Sequence, residues 1–362
     1  MTLKTIATTL ALGAGLCSAA DSLSLQLFRS LAKDSPDNIV FSPAGVENIL
    51  NALKEYSAGE TLQELNDLPM GKQPQYNIHM ERADALFVTQ NLPLAPGVQE
   101  PVRIDFSQAQ QAANTINNWC AQHTHDRITN IIQPSDLSPL TAFVATNAIY
   151  LKENWLYAFD PNNSYPDEFK LANGTTVPVE MMSHTAKYPT AQGKNWVAIA
   201  LPYATATPNG EPCYFIAIQP ESNAQDFAAK LTDTQYNGIL RQLRKSRGKA
   251  KVSMPAFTLD GNTLKLNEAL KQAGLSSIFN KANFSRLTTT KRDIYLSAVL
   301  QKCFIKVNEE GTEAATATAA VANFKSIGPR IPHIVLNKPF IWVIGSLSEA
   351  DTPLFMGILQ NP

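Results

Sequence analysis

The sequence predicts an α+β protein. Helix-period apolar spacing dominates the early part of the chain, and β-branched and aromatic runs of strand character fill most of the rest. No linker, repeat or shift of composition divides the 362 residues. Length alone favours two domains, because single cores rarely grow beyond about 250–300 residues. Without a Pro/Gly/Ser-rich seam, however, one domain over residues 21–362 is expected. The chain is 44% hydrophobic and 17% charged, with a formal net charge of −1. That balance gives no global pull toward nucleic acid or an anionic membrane, and neither is expected as a partner.

Residues 1–20 are read as a secretory signal peptide. Lys4 supplies a positive start, Ile6 to Leu16 is apolar, and Cys17-Ser18-Ala19-Ala20 offers small residues for cleavage after Ala19 or Ala20. The apolar stretch is too short for an anchor, which needs about 20 residues. A lipoprotein site at Cys17 is poorly served by Leu16 directly before it. The protein is therefore expected to be secreted and extracellular, or periplasmic in a bacterium. Removing the signal leaves Cys120, Cys213 and Cys303, an odd number without disulfide spacing, so buried free thiols are expected.

Ser22 to Ala32 places Leu23, Leu27, Phe28 and Leu31 at helical spacing. Asn38 to Pro43 reads as a short strand entering a helix, with Ser42 as its cap and Pro43 as its first residue. Val46, Ile49, Leu50 and Leu53 continue that helix, and a turn at Ser57 starts another. Ala83 to Val88 reads as a strand and Ala109 to His125 as a helix. Between them, Pro93 to Phe106 carries three prolines. Phe143 to Lys152, residues 168–170, 177–182 and 195–202, and Tyr214 to Gln219 read as strands. Asp226 to Leu243 reads as one helix, Val252 to Phe257 as sheet, and Leu264 to Ala273 as a helix. Ile294 to Val307 is a long strand, and Ile334 to Ser346 and residues 354–357 are buried strands.

One stretch has no ordinary reading. Asn308 to Ser326 reads NEEGTEAATATAAVANFKS, and every side chain from Ala314 to Ala322 is small and uncharged, with no proline. A solvated loop of this length would carry charge, Gly and Pro. A buried helix would carry larger apolar residues.

Eight motifs in order now resemble one family: NIVFSP at 38–43, AGETLQEL at 58–65, TNAIYLKENW at 146–155, VPVEMM at 177–182, VSMPAFTL at 252–259, NEEGTEAA at 308–315, NKPF at 337–340 and PLFMG at 353–357. By these the chain resembles the serpins, the serine protease inhibitors, from about Ser22 to Pro362. The resemblance implies a large five-stranded sheet and two smaller sheets wrapped by about eight helices, with an exposed reactive-centre loop at about 309–332. It implies a hinge at Glu309, Glu310, Gly311, Thr312, Glu313, Ala314 and Ala315, and an inserting strand through Thr316, Ala317, Thr318, Ala319 and Ala320. The family usually places seventeen residues from the first hinge glutamate to the residue before the cleaved bond. Counted from Glu309, the reactive bond is Lys325–Ser326, and a lysine there implies a trypsin-like target held in a covalent complex. Phe324 is the alternative, for a chymotrypsin-like or other protease, and a non-inhibitory carrier or chaperone is the alternative within the fold. A monomer is expected.

The shutter under the site where the sheet opens is expected to use Ser42 and Asn147. Gly45 stands where the family has a second serine, and Gln301 where it has a histidine. The brevity of Met70 to Asn77 removes the helix that usually binds glycosaminoglycan, which weakens that expectation. Arg241 to Lys251 has six basic residues in eleven and reads as a solvated turn, with a polyanion site as the alternative. Cys120, His123 and His125 lack a fourth ligand and zinc spacing, so no metal is expected. Without Gly-x-Ser-x-Gly, His-Glu-x-x-His, a P-loop or a dinucleotide fingerprint, neither enzyme activity nor a cofactor is expected. The sequons at Asn162, Asn173 and Asn283 bear on glycosylation only in a eukaryotic secretory host.

Overall fold

The structure, a computed structural model, describes residues 21–34, 36–75, 78–206, 212–312 and 331–362. The signal-peptide reading and the reactive bond lie outside the described residues.

The early chain is helical, as its spacing predicts. Helix α1 (Leu23–Asp34) buries Leu23, Leu27 and Phe28, and strand β1 (Ile39–Phe41) follows. Ser42 then caps α2 (Pro43–Tyr56), its hydroxyl accepting from the Gly45 amide at 3.1 Å. Pro43 at the first helical position sacrifices no hydrogen bond. After α3 (Gly59–Asp67), residues 68–75 and 90–101 form no helix, Pro69, Pro74, Pro93, Pro96 and Pro101 interrupting both stretches. Strands β2 (His79–Thr89) and β3 (Val102–Ile104) precede α4 (Ala109–His123).

The remainder is mostly sheet: β4 (Phe143–Asn154), β5 (Tyr165–Lys170), β6 (Thr176–Ala186), β7 (Thr190–Gln192), β8 (Trp196–Ala206) and β9 (Pro212–Pro220). The helical stretch expected as one piece at 226–243 is two, α5 (Ala224–Lys230) and α6 (Asp233–Lys245). Thr232 divides them by forming a capping box with Gln235, which starts a new helix instead of extending the old one. Strands β10 (Ala250–Pro255), β11 (Phe257–Asp260) and β12 (Leu264–Lys265) follow. The helix expected from Leu264 is only α7 (Asn267–Gln272), because Leu264 and Lys265 pair with Gln301 and Leu300. The chain ends through β13 (Leu296–Val307), β14 (Gly311–Thr312), β15 (His333–Val335), β16 (Phe340–Gly345) and β17 (Phe355–Leu359). Seven α-helices stand among the described residues, where about eight were expected.

Three sheets result: a six-stranded one, a four-stranded one and the largest, in which β11 and β12 share one edge of β13, and β14, β4, β2 and β3 follow on its other side. The largest has five full lanes, with β14 as a two-residue stub between two of them. β11 and β12 succeed one another along the same partner, β13. β14 is a stub in the gap where β13 and β4 diverge.

The core divides by strand alternation. Ile216 and Ile218 of β9 face a layer shared with α1, α2 and α6. Phe215 and Ala217 face the opposite layer, where Trp342 and Phe340 of β16 meet Ile149, Leu151, Cys303 and Ile305 of the large sheet. The other face of the large sheet is covered by α4, through Ala112, Ile116 and Cys120 on Phe87, Val144, Ala148 and Leu300. Cys120, Cys213 and Cys303 are free and buried. Burial pushes the Cys120 thiol up to about 12 and the other two higher still.

Candidate functional site

The site is the seam between β13 and β4. These strands run parallel and pair from Leu296/Phe143 to Phe304/Tyr150. Beyond that point β14 fills the lane, with Thr312 opposite Val307 on one side and Glu153 on the other. The expected hinge residues Gly311 and Thr312 are therefore already ladder members, both buried.

A platform built by distant residues fixes this stub. Asn308 accepts from the Glu310 and Gly311 amides, each at 3.2 Å, which turns the chain back after β13. The carbonyl of Asn308 takes the Trp155 indole N–H at 2.8 Å. The carbonyls of Glu309 and Glu310 take the amides of Phe159 and Trp155 at 2.8 and 2.9 Å. The Glu309 carboxylate takes the Ser164 hydroxyl at 2.8 Å. Thr312 Oγ1 lies 2.7 Å from the hydroxyl of Tyr203, whose ring stacks on Trp155 at 4.8 Å. Burial holds that phenol well above its ordinary range, so it stays a neutral hydrogen-bonding partner.

Gly311 has a reason of its own. A Cβ there would come within 2.7 Å of Asn154 Cα and closer still to the Glu153 carbonyl oxygen. Its missing side chain lets two backbones touch.

Lower in the seam the structure brings Ser42, Gln301 and Asn147 together. Gln301 Oε1 accepts from the Ser42 amide at 2.8 Å, and its Nε2 donates to the Ser42 carbonyl at 2.9 Å and to Asn147 Oδ1 at 2.6 Å. Ser42 Oγ donates to the Leu354 carbonyl at 2.6 Å. Asn147 Nδ2 donates onward to Asp84 on β2. Burial, partly offset by Arg82 and Asn147, raises the carboxyl of Asp84 above the usual range. Gly45 leaves room for this arrangement: a Cβ there would be 2.5 Å from Ile149 Cδ1 and closer still to Asn147 Oδ1.

Glu313, Ala314, Ala315, Thr316, Ala317, Thr318, Ala319, Ala320, Phe324, Lys325 and Ser326 lie outside the described residues. Sequence reasoning missed Tyr203, Ser164 and Asp84. Only Trp155, within the motif at 146–155, carried a local signal. Cys120, His123 and His125 are not a cluster. Cys120 is buried, His123 stacks on Trp119 at 4.0 Å, and His125 meets Glu81. In the basic run, Arg241 and Arg244 both pair with Glu349, at 2.5 and 3.2 Å.

Comparison with known proteins agrees across the whole body. The sequence model of the family described as Serpin (serine protease inhibitor) matches residues 18–362. Plasminogen activator inhibitor 1 of Neovison vison is 29% identical over 95% of this chain and 92% of its own. An uncharacterised serpin-like protein of Thermococcus kodakarensis is 30% identical over 95% of this chain and 85% of its own. Among solved structures, the thermophilic serpin tengpin in its native state superposes with a TM-score of 0.80 at 22% identity, covering 94% of this chain and 92% of that one.

Proposed function

The chain belongs to the serpin family, and from that premise we propose that it is a secreted, suicide-type inhibitor of trypsin-like serine proteases. Lys325 enters the acidic primary pocket of the protease. The protease serine oxygen bonds to the Lys325 carbonyl carbon, the Lys325–Ser326 bond breaks, and Ser326 leaves as a protonated amine. The loop then enters the seam between β13 and β4, carrying the ester-bound protease away before water reaches the ester.

The observation that carries this reading is the seat of β14. Gly311 and Thr312 already occupy the lane that an inserting strand would fill, in register with both neighbours. Continued from Thr312, that register would turn Ala314, Thr316, Thr318, Ala320 and Ala322 toward the core between the sheets. Glu313, Ala315, Ala317, Ala319 and Val321 would turn toward α4. An unpaired charge in the first set would cost several kcal/mol, roughly 2–7 even for a neutral polar group without a partner. That set is small and uncharged, and the one charge, Glu313, falls on the other face. Secretion rests on the pattern of residues 1–20, and the family match begins at residue 18.

Incubation with trypsin followed by denaturing electrophoresis tests the proposal. An SDS-stable complex is expected. With Thr312→Arg, a charge would have to enter the buried position of Thr312, so cleavage after Lys325 should release active trypsin instead. Cleavage of the wild type without complex would overturn inhibition and favour a carrier. Complex formation with chymotrypsin alone would move the reactive residue to Phe324.

A further inference from the structure

The segment that leaves α4 crosses the sheet over the seam. His125 Nδ1 lies 2.6 Å from Glu81 Oε2 on β2. The guanidinium carbon of Arg127 lies 5.7 Å from the ring centre of Tyr150 on β4 and 5.7 Å from that of Phe304 on β13. Asn130 Oδ1 accepts from Lys302 Nζ of β13 at 2.6 Å, and Lys302 also meets Asp260 of β11 at 3.1 Å. Three lanes of the sheet beneath are thus joined by one strap. Its course is set by two consecutive non-glycine residues with positive φ, His125 at 46° and Asp126 at 58°, a conformation that His and Asp adopt more readily than most.

Tyr150 and Phe304 are not an arbitrary pair. They are Cα partners and the last rung of the β4–β13 ladder before β14 takes the lane. Their rings are 6.0 Å apart. They are therefore the first pair that must separate when a strand follows Thr312 into the seam. Insertion would double the β4–β13 spacing, from about 4.8 Å to about 9.6 Å. A cation is attracted to an aromatic face only within about 6 Å of its centre, so Arg127 cannot keep its present pose over both rings once they part.

We propose that Arg127 is a cation–aromatic clasp across the seam, a positioning residue that sets how readily β13 and β4 separate. The proposal rests on the reading of this sheet as the receiver of the loop. In the closed sheet one guanidinium holds a ring from each strand. The first step of opening releases it, so the clasp slows insertion without contributing to the inserted state. Arg127 is exposed, and an exposed arginine over a single ring would be ordinary surface packing. Bridging two rings on the two strands that must part is what gives it a kinetic role.

The test is hydrogen exchange in the intact uncleaved protein, which needs no protease and so separates failure of the clasp from failure of inhibition. Amides of residues 149–151 and 303–305 are followed in the wild type, Arg127→Met, Arg127→Lys and Phe304→Leu. Arg127→Met should raise their exchange by about fivefold, the size of one well-placed cation–aromatic contact. Arg127→Lys should fall between, and amides of β8 and β9 should not change. Phe304→Leu should accelerate the same amides, and adding Arg127→Met to it should gain little more. Unchanged or slower exchange at the seam would overturn the proposal. So would an equal rise in β8 and β9, which would signal general loosening, or full multiplicative effects in the double variant.

Discussion

At the scale of single residues, Gly45 and Gln301, the two positions expected to depart from the family pattern, fit one another. Gln301 reaches both backbone groups of Ser42 and the side chain of Asn147. The Asn147 that it meets occupies space a side chain at position 45 would need. Gly45→Ser, which places there the serine expected from the resemblance, should therefore cost about 1–3 kcal/mol by overpacking, read as a lower thermal midpoint. A midpoint at or above the wild type would show that the site can relax. Asp84 at the far end of the relay makes a pH prediction. Burial raises its folded-state pKa, so the ionised form burdens the native state above that pKa, and the burden is relieved as pH falls through it. Asp84→Asn should be more stable than the wild type at neutral pH, with the difference shrinking on acidification. Denaturant melts across that range would show a constant gap if the idea were wrong. The odd residues at 45 and 301 were legible in the sequence. Their compatibility was not, because it depends on how far a glutamine reaches across a seam whose closure the sequence does not state.

At the scale of elements, β14 is two residues long and yet is paired on both sides. Its composition was readable, but the platform under it was not, since Trp155, Ser164 and Tyr203 lie more than a hundred residues upstream. Tyr203→Phe removes one buried hydrogen bond and should weaken the seat of Thr312 by about 1 kcal/mol. Faster exchange of the Gly311 and Thr312 amides, with the rest of β13 unchanged, is the expected result. Gly311→Ala acts differently, by forcing the stub away from Glu153 and Asn154. Under the proposed mechanism it should shift the outcome with trypsin from complex toward cleaved product, and an unchanged ratio would count against a seated hinge. The helix boundaries teach a related lesson. Leu264 and Lys265 fit a helical pattern but pair with β13 instead, because an open sheet edge offers their backbone groups better partners than an isolated helical turn.

At the scale of the whole molecule, the uninserted form is expected to be a kinetically held state. Filling the remaining lane would add roughly a dozen backbone hydrogen bonds at about 0.5–1.5 kcal/mol each, on the order of 10 kcal/mol. At about 2 °C per kcal/mol for a chain of this size, cleavage within the loop should raise the thermal midpoint by on the order of 20 °C. Calorimetry before and after limited proteolysis measures this directly. A midpoint that stays or falls would mean that the loop does not enter the sheet.

The sequence by itself determined the α+β class, most of the elements, the buried thiols and the family, because hydrophobic period, cap and turn residues and ordered motifs are local and additive along the chain. It also marked the stretch from Ala314 to Ala322 as chemically unlike a loop. Tertiary structure decided the rest: that Gly311 and Thr312 are already paired with Asn154 and Glu153, that Asn147 is held between Gln301 and Asp84, and that Arg127 lies over both rings flanking the seam. Each of these is a meeting of residues far apart in sequence. Which residues meet follows from strand order and register, and these are set by the packing of the entire core.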